Sequence, residues 1–270
     1  MLKLYTFGGL RIELDGRPLQ LPTQKAGALL AYLAAFRDRP HPRSVLTGLL
    51  WPKVDESKAR RRLSDTLWRI RHVLGDYVLA NDERIWLNLD LPCWLDVEQF
   101  QSAVSKLKPE SSDPELIERA LALYRGPFLD GVYDDWALLE QERLRGLYLE
   151  ALGHLLTHHK RVGDYTAALG VARRLVATEP LHETAHRELM RLYHLLGRDA
   201  EAVAQYRRCQ EILQQELGVS PAPETEKLYR TLSRRAHPPA AAPEAHLPTP
   251  ALSPAPSLDE PPLVGREAER

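Results

Sequence analysis

The stretch DESKARRRLSDTLWRIRHVLG, residues 55–75, constrains the fold of this chain more than any other. Its apolar residues recur at helical spacing and therefore share one stripe: Leu63, Leu67, Ile70 and Leu74. Asp55 lies where an N-cap is expected, and Gly75 lies where a C-cap is expected. The stretch therefore predicts an amphipathic helix that buries one side against a core.

The opposite side of this helix is more basic than its own stability requires. The residues opposite the stripe are Lys58, Arg61, Asp65, Trp68, Arg69 and His72, and those on its flanks are Arg60, Arg62 and Arg71. Guanidinium groups pair with DNA phosphates, or with O6 and N7 of guanine in the major groove. Two interpretations are open: a helix that binds DNA, or a solvated basic helix on an ordinary core.

Composition limits the alternatives. A length of 270 residues with 44% hydrophobic content allows two domains. The formal net charge is −1, so any DNA-binding surface must be local. Cys93 and Cys209 fit structural thiols in a reducing compartment. The first residues lack the order of a signal peptide, and no apolar run approaches a membrane span. We expect a soluble cytoplasmic protein with no membrane partner.

The order of elements around the basic helix indicates a winged helix. Short strands are predicted over 2–7, 10–14 and 17–21, followed by a helix that begins at Pro22. A shorter helix begins at Arg43 or Ser44 and ends before Trp51, and the basic helix comes next. Residues 77–80 and 84–89 flank an Asn-Asp turn and predict a hairpin. A helix-turn-helix followed by a hairpin places the second helix in the major groove.

Three segments carry a family resemblance: FGGLRIELDGRPLQLPTQKAGALLAYLA, LLWP and ARRRLSDTLWRIRHVLG. Together they resemble the OmpR-type winged helix, and more narrowly the N-terminal domain of the Streptomyces antibiotic regulatory protein (SARP) family. The resemblance implies a DNA-binding domain over 1–94. It also implies that residues 55–74 form the recognition helix and that the hairpin at 77–89 lies on the DNA backbone.

The expected DNA contacts follow from this placement. We assign the groove face to Arg61, Arg62, Asp65, Trp68 and Arg69, and the phosphates to Lys58, Arg71 and Arg84, with Arg60 as a further DNA contact. Trp68 has a second interpretation, in which it covers apolar surface at the wing. Asp65 either orients Arg61 or Arg69 at a distance of four residues, or accepts a hydrogen bond from cytosine N4.

Helical periodicity dominates the second region, residues 95–235. Gly163 aligns with Gly197 and Ala168 with Ala202, which gives the 34-residue period of tetratricopeptide helix pairs. The run from RGPFLDG to EKLYRTL resembles the bacterial transcriptional activation domain that follows the winged helix in SARP regulators. The resemblance implies a tetratricopeptide-like domain for oligomerisation or partner contact.

One motif points to different chemistry. His182, Glu183 and His186 match H-E-x-x-H, the pattern of zinc proteases. Pro180 places the motif at the start of a helix rather than inside one, and no third ligand follows, so we favour a role in the helical repeat. His154, His158 and His159 are likewise interpreted as solvated surface. We expect no catalytic residues, no metal and no cofactor.

The remaining residues are predicted to be a linker. Residues 236–262 are rich in Pro and Ala and cannot bury enough apolar surface to fold. Residues 263–270 resemble the opening of a signal-transducing ATPase domain, without a phosphate-binding loop.

The sequence therefore predicts a mainly α fold with small β elements, in which a winged helix-turn-helix domain precedes an α-helical tetratricopeptide-like domain. The functional hypothesis is a sequence-specific transcriptional activator. Its expected partners are double-stranded DNA, read as direct repeats by self-associating protomers, and RNA polymerase. The alternative is a protein-interaction adaptor whose winged helix does not bind DNA.

Overall fold

The computed structural model describes residues 1–107 and 113–236. The predicted linker beyond Ala236 and the segment 263–270 lie outside the described residues. The strands are β1 Leu2–Tyr5, β2 Arg11–Leu14, β3 Arg17–Leu19, β4 His41–Pro42, β5 Val78–Ala80, β6 Arg84–Leu87 and β7 Cys93–Leu95. The helices are α1 Gln24–Ala35, α2 Arg43–Leu50, α3 Glu56–Leu74, α4 Asp96–Val104, α5 Pro114–Leu123, α6 Asp135–Arg161, α7 Tyr165–Thr178, α8 Glu183–Leu195, α9 Asp199–Leu217 and α10 Pro223–Ala236.

The first region contains two small sheets in addition to its three helices. One has the strand order β3-β2-β1-β7, with β7 parallel to β1, and the other has the order β4-β6-β5. The three predicted N-terminal strands and the predicted hairpin are confirmed. Strands β4 and β7 were not predicted, because each is short and pairs with a partner that is distant in sequence.

The helix ends follow from capping chemistry. The first helix was predicted to begin at Pro22, but α1 begins at Gln24, because the Thr23 side chain accepts the backbone N–H of Ala26 at 3.2 Å. In α3, Asp55 accepts the N–H of Ser57 at 3.1 Å, and the hydroxyl of Ser57 also donates to it. These hydrogen bonds hold the pKa of Asp55 below its usual value. Gly75 ends α3 with φ +58°, a conformation that favours glycine.

In the second region consecutive helices pack side by side, with α6 on α7, α7 on α8, and α8 on α9. Gly163 and Gly197 form the turns at φ +78° and +71°, before α7 and α9 respectively. Ala168 and Ala202 are fully buried where these helices meet their neighbours. The predicted 34-residue helical repeat is therefore present in the fold.

The winged helix and the helical region share one hydrophobic core. The buried carboxylate of Asp96, at the start of α4, accepts hydrogen bonds from Thr6 N, Thr6 Oγ1 and Phe7 N at 2.7–3.1 Å. Phe7 also pairs with Phe128 in an isolated β-bridge. The domain boundary expected after residue 94 falls inside β7, so the backbone of the first sheet continues directly into α4. No helix in the described ranges is long and apolar enough to cross a membrane.

Candidate nucleic-acid interface

Helix α3 is fixed by its buried stripe and turns a charged face outward. Leu63 and Ile70 are fully buried against α1 and α2, and Leu67 and Leu74 are nearly so. The helix carries six Lys and Arg residues against two carboxylates, within a chain whose net charge is −1. The positive charge is therefore concentrated on one exposed surface, as the sequence predicted.

All nine predicted contact residues are exposed: Lys58, Arg60, Arg61, Arg62, Asp65, Trp68, Arg69, Arg71 and Arg84. Eight of them lie on α3, and Arg84 lies at the first position of β6. Arg60 forms an ion pair with Glu56 at 2.6 Å. Within the described part of the chain, no hydrogen bond or ion pair engages the other α3 cations, namely Lys58, Arg61, Arg62, Arg69 and Arg71. We call these five residues the unpaired set.

Trp68 does not cover the wing. Its side chain is 66% exposed and stacks on His72 with a centroid distance of 5.4 Å and an interplanar angle of 16°. The interpretation that Trp68 shields apolar surface is therefore wrong, because most of the indole faces solvent. An exposed aromatic ring on a basic helix instead offers an apolar contact to a ligand.

Asp65 lies between two arginines on the outer face of α3. Among the described residues it has no ion pair with Arg61 or Arg69, although all three side chains share that face. Both roles expected for Asp65, orientation of these arginines and contact with a base, stay predictions.

The wing is held firmly against α2. Its turn closes through Asn81, whose Oδ1 accepts the N–H groups of Glu83 at 3.0 Å and Arg84 at 2.7 Å. The backbone N–H of Arg43 donates to Glu83 O at 2.8 Å, and Arg43 Nε donates to Asn81 O at 3.0 Å. The wing therefore has a defined position relative to α3.

Arg43 is a functional candidate that sequence reasoning missed. It lies at the start of α2 and borders two adjoining clefts along one flank of α3. One cleft also contains Ser64, Trp68 and Arg71, and the other contains Ser64, Arg60 and Arg84. The local sequence marks Arg43 only as the start of a helix, because its contact with the wing joins residues 38 positions apart.

The H-E-x-x-H residues serve the helical repeat. His182 Nδ1 accepts the N–H of Ala185 at 3.2 Å and so caps α8. Glu183 Oε2 accepts hydrogen bonds from Ala222 N at 2.9 Å and Thr225 Oγ1 at 2.7 Å. Both residues therefore have partners inside the helical region.

His186 is fully buried between α8 and α9. Its Nε2 donates to Pro180 O at 2.9 Å, and its Nδ1 accepts from Gln205 Nε2 at 2.7 Å. Burial lowers the pKa of His186, which favours the neutral ring. Within residues 1–107 and 113–236, no group of three or more His, Cys, Asp or Glu side chains is placed to hold a metal ion.

Comparison with known proteins is consistent with this geometry. Residues 95–233, more than half of the chain, match the family model of the bacterial transcriptional activator domain. Regulatory protein AfsR of Streptomyces coelicolor is 29% identical over 238 residues, which cover 86% of this chain and 24% of AfsR. Transcriptional regulatory protein MoaR1 of Mycobacterium bovis is 28% identical over 84% of this chain and 78% of MoaR1.

A similar fold is found in the solved structure of Mycobacterium tuberculosis EmbR in complex with a low-affinity phosphopeptide, with a TM-score of 0.67 and 24% identity. The match covers 87% of this chain and 65% of the EmbR chain. The chain thus spans about a quarter of AfsR and just under two thirds of the EmbR structure. Because the family model covers more than half of the chain, the chain belongs to the bacterial transcriptional activator domain family, and over most of its length it is similar to the Streptomyces coelicolor regulators AfsR and RedD.

Proposed function

We propose that this protein is a sequence-specific transcriptional activator that inserts α3 into the major groove of double-stranded DNA. The observation that carries the proposal is the unpaired set on α3. Five exposed cations on a single helix repel one another unless counter-charge is supplied from outside. The phosphates of a duplex supply that charge in a regular array, and binding releases condensed counterions.

The residues of α3 divide the work of recognition. Arg61 and Arg69 on the outer face, with Arg62 on its flank, are the candidates for bidentate contact with guanine, which specifies sequence. Asp65 and Trp68 share this face and offer a hydrogen-bond acceptor and an apolar ring. The backbone contacts come from Lys58, Arg60, Arg71 and, on the wing, Arg84. Phosphate contacts position the helix, and base contacts select the site.

The helical domain, which we assign to residues 95–235, has a different role in this proposal. It contacts RNA polymerase and neighbouring protomers bound to direct repeats. Its support is the extensive junction with the winged helix, residues 1–94, in which Lys25 Nζ binds the Asp134 carboxylate at 2.9 Å and Trp136 packs edge-on against Tyr32. A junction of this kind fixes the direction in which the helical domain projects from DNA.

A random-duplex selection tests the proposal with the full chain. We expect the wild-type protein to enrich a repeated motif, and the Arg61→Ala protein to lose preference for at least one base position of that motif. Arg207→Ala is the matched control, because Arg207 is an exposed arginine on α9. If no motif is enriched at low salt, the protein does not act through DNA, and the adaptor alternative takes its place.

A further inference from the structure

We propose that Arg43 binds a phosphate of the DNA strand that passes between α3 and the wing. This inference rests on the proposed function and adds a contact that is not part of the recognition helix. The site is the cleft between α2, α3 and the wing, and its lining includes Arg43, Ser44, Arg60, Ser64, Glu83 and Arg84. We call it the α2–wing cleft.

Three structural elements contribute arginines to this cleft. Arg43 comes from α2, Arg60 from α3 and Arg84 from β6. The pair between Arg60 and Glu56 is exposed on both sides, so it is weak and exchanges readily for a phosphate contact. The hydroxyls of Ser44 and Ser64 add neutral donors. Guanidinium and hydroxyl donors around a cleft are the groups that bind DNA phosphates.

Of the three arginines, Arg43 has the side chain that is already oriented for binding a phosphate. Its Nε donates to Asn81 O at 3.0 Å, which fixes the plane of the guanidinium group. Within the described residues neither terminal NH₂ group has a protein partner, so both are available for a bidentate phosphate contact. The side chain is also half-buried, which reduces the freedom that it loses on binding.

The position of Arg43 does not serve α2 itself. A positive charge in the first turn of a helix opposes the helix dipole, and this turn of α2 contains no acidic residue and no side-chain cap. The placement is unfavourable for the isolated helix and favourable once an anion lies beside it. This contrasts with α3, where Asp55 and Glu56 occupy the same end.

Because the cleft contains both positive and negative side chains, it favours the binding of a single phosphate over the binding of a polyanion that is free in solution. Asp82 and Glu83 line its wing side and oppose the three arginines. Arg43 also borders the neighbouring cleft, which contains Arg71. A single strand that follows the flank of α3 therefore passes Arg71, Arg43 and Arg84 in turn. This path is the one that a duplex takes when α3 occupies the major groove and the wing lies on the backbone.

The first test is the salt dependence of binding by the full chain to its selected duplex. Arg43→Ala is expected to weaken binding about tenfold and to reduce the slope of log K against log salt by about one unit. The loss is expected to be the same for unrelated duplexes, because a phosphate contact carries no sequence information. Arg43→Lys keeps the charge and should restore the slope. Arg119→Ala on α5 is the matched control, since Arg119 Nε also donates to a backbone carbonyl.

The second test neutralises single phosphates of the duplex with methylphosphonate. One position should weaken the wild-type protein and leave Arg43→Ala unaffected. Equal sensitivity of both proteins at every position, or an unchanged slope for Arg43→Ala, overturns the role of Arg43 while Arg61→Ala still alters binding. Absence of salt-dependent binding by the wild-type protein overturns the proposed function itself. Thermal unfolding of Arg43→Ala separates loss of contact from loss of the fold.

Discussion

Helix α3 and helices α6–α8 are both rich in arginine, but they use it differently. On α6, the Arg143 guanidinium donates two hydrogen bonds to the Glu140 carboxylate, at 2.8 and 2.5 Å. Arg145 forms an ion pair with Glu179 at 2.8 Å. On α8, Arg191 pairs with Glu188 at 2.6 Å. The unpaired set on α3 has no such internal partners in the described structure. The arginines of α6–α8 named here thus contribute to the fold, whereas the unpaired set on α3 has no counter-charge within the described structure.

Unpaired charge in a basic surrounding, rather than arginine content alone, distinguishes α3 from the helical region. On α7, Arg173 donates a hydrogen bond to the Tyr193 hydroxyl at 3.3 Å, and Arg174 donates one to the Tyr148 hydroxyl at 3.2 Å. Helix α9 provides an internal reference, because Arg207 and Arg208 are exposed there and no described ion pair engages them. They are two residues in an acidic helix, whereas the unpaired set is five residues in a basic one. Matched substitutions in the two regions therefore test whether unpaired charge is what separates them.

The largest expected effect is at Asp96, which belongs to neither surface and joins the two regions. Asp96→Ala leaves Thr6 N, Thr6 Oγ1 and Phe7 N unsatisfied in a buried site. We expect the free energy of unfolding to fall by about 3–5 kcal/mol. Asp96→Asn keeps one acceptor oxygen and should lose less. Denaturant unfolding measures both, and a loss below 1 kcal/mol for Asp96→Ala would show that the junction is not important for stability.

Reversal of one charge in the unpaired set comes next. Arg69→Glu places a carboxylate against DNA and should weaken binding at least about 100-fold, which is about 2.7 kcal/mol. Its unfolding free energy should change by less than about 0.5 kcal/mol, because Arg69 has no described partner to lose. Arg207→Glu should leave affinity nearly unchanged. Equal losses for the two variants would mean that only net charge matters.

A paired arginine should show the opposite behaviour. Arg143→Ala leaves the buried carboxylate of Glu140 without its guanidinium and should lower the unfolding free energy by about 1–2 kcal/mol. DNA affinity should stay within twofold of the wild type. Arg230→Ala breaks an exposed pair with Glu226 and should cost no more than about 0.5 kcal/mol. If Arg143→Ala weakens DNA binding while the protein stays folded, the two regions are not functionally distinct.

The smallest expected effect is a loss of folding stability in acid, which arises from the buried ring of His186. Burial lowers the pKa of His186 in the folded state, and the nearby charge of Arg208 also lowers it. The contacts with Pro180 and Gln205 and the charge of Glu183 act in the opposite direction. The unfolded chain therefore binds the proton more readily below pH 6.5, and stability falls as pH falls. The expected loss at pH 5.5 is up to about 1 kcal/mol. His186→Gln should remove this part of the pH dependence; an identical profile would assign it to other groups.

Local patterns predicted α3 and the wing because their signals are local. A stripe such as Leu63 and Ile70 and a turn such as Asn81-Asp82 are visible within one segment. Strand β7 was not predicted, because it forms only by parallel pairing with β1, which is distant in sequence. The roles of His182 and Glu183 also depend on partners outside the motif. The candidate role of Arg43 depends on its hydrogen bond with Asn81 in the wing. Contacts between distant segments are what the sequence pattern could not supply.

The salt dependence of DNA binding measures how many cations of this chain contact phosphates. For the full chain on its selected duplex, we predict that log K falls linearly with log salt at a slope of about −4. The Lys58→Ala, Arg71→Ala double variant should flatten that slope by about two units, and the Arg207→Ala, Arg208→Ala double variant should leave it unchanged. A slope near zero for the wild type, or equal flattening by both double variants, would contradict the claim that the unpaired charges of α3 are matched by DNA.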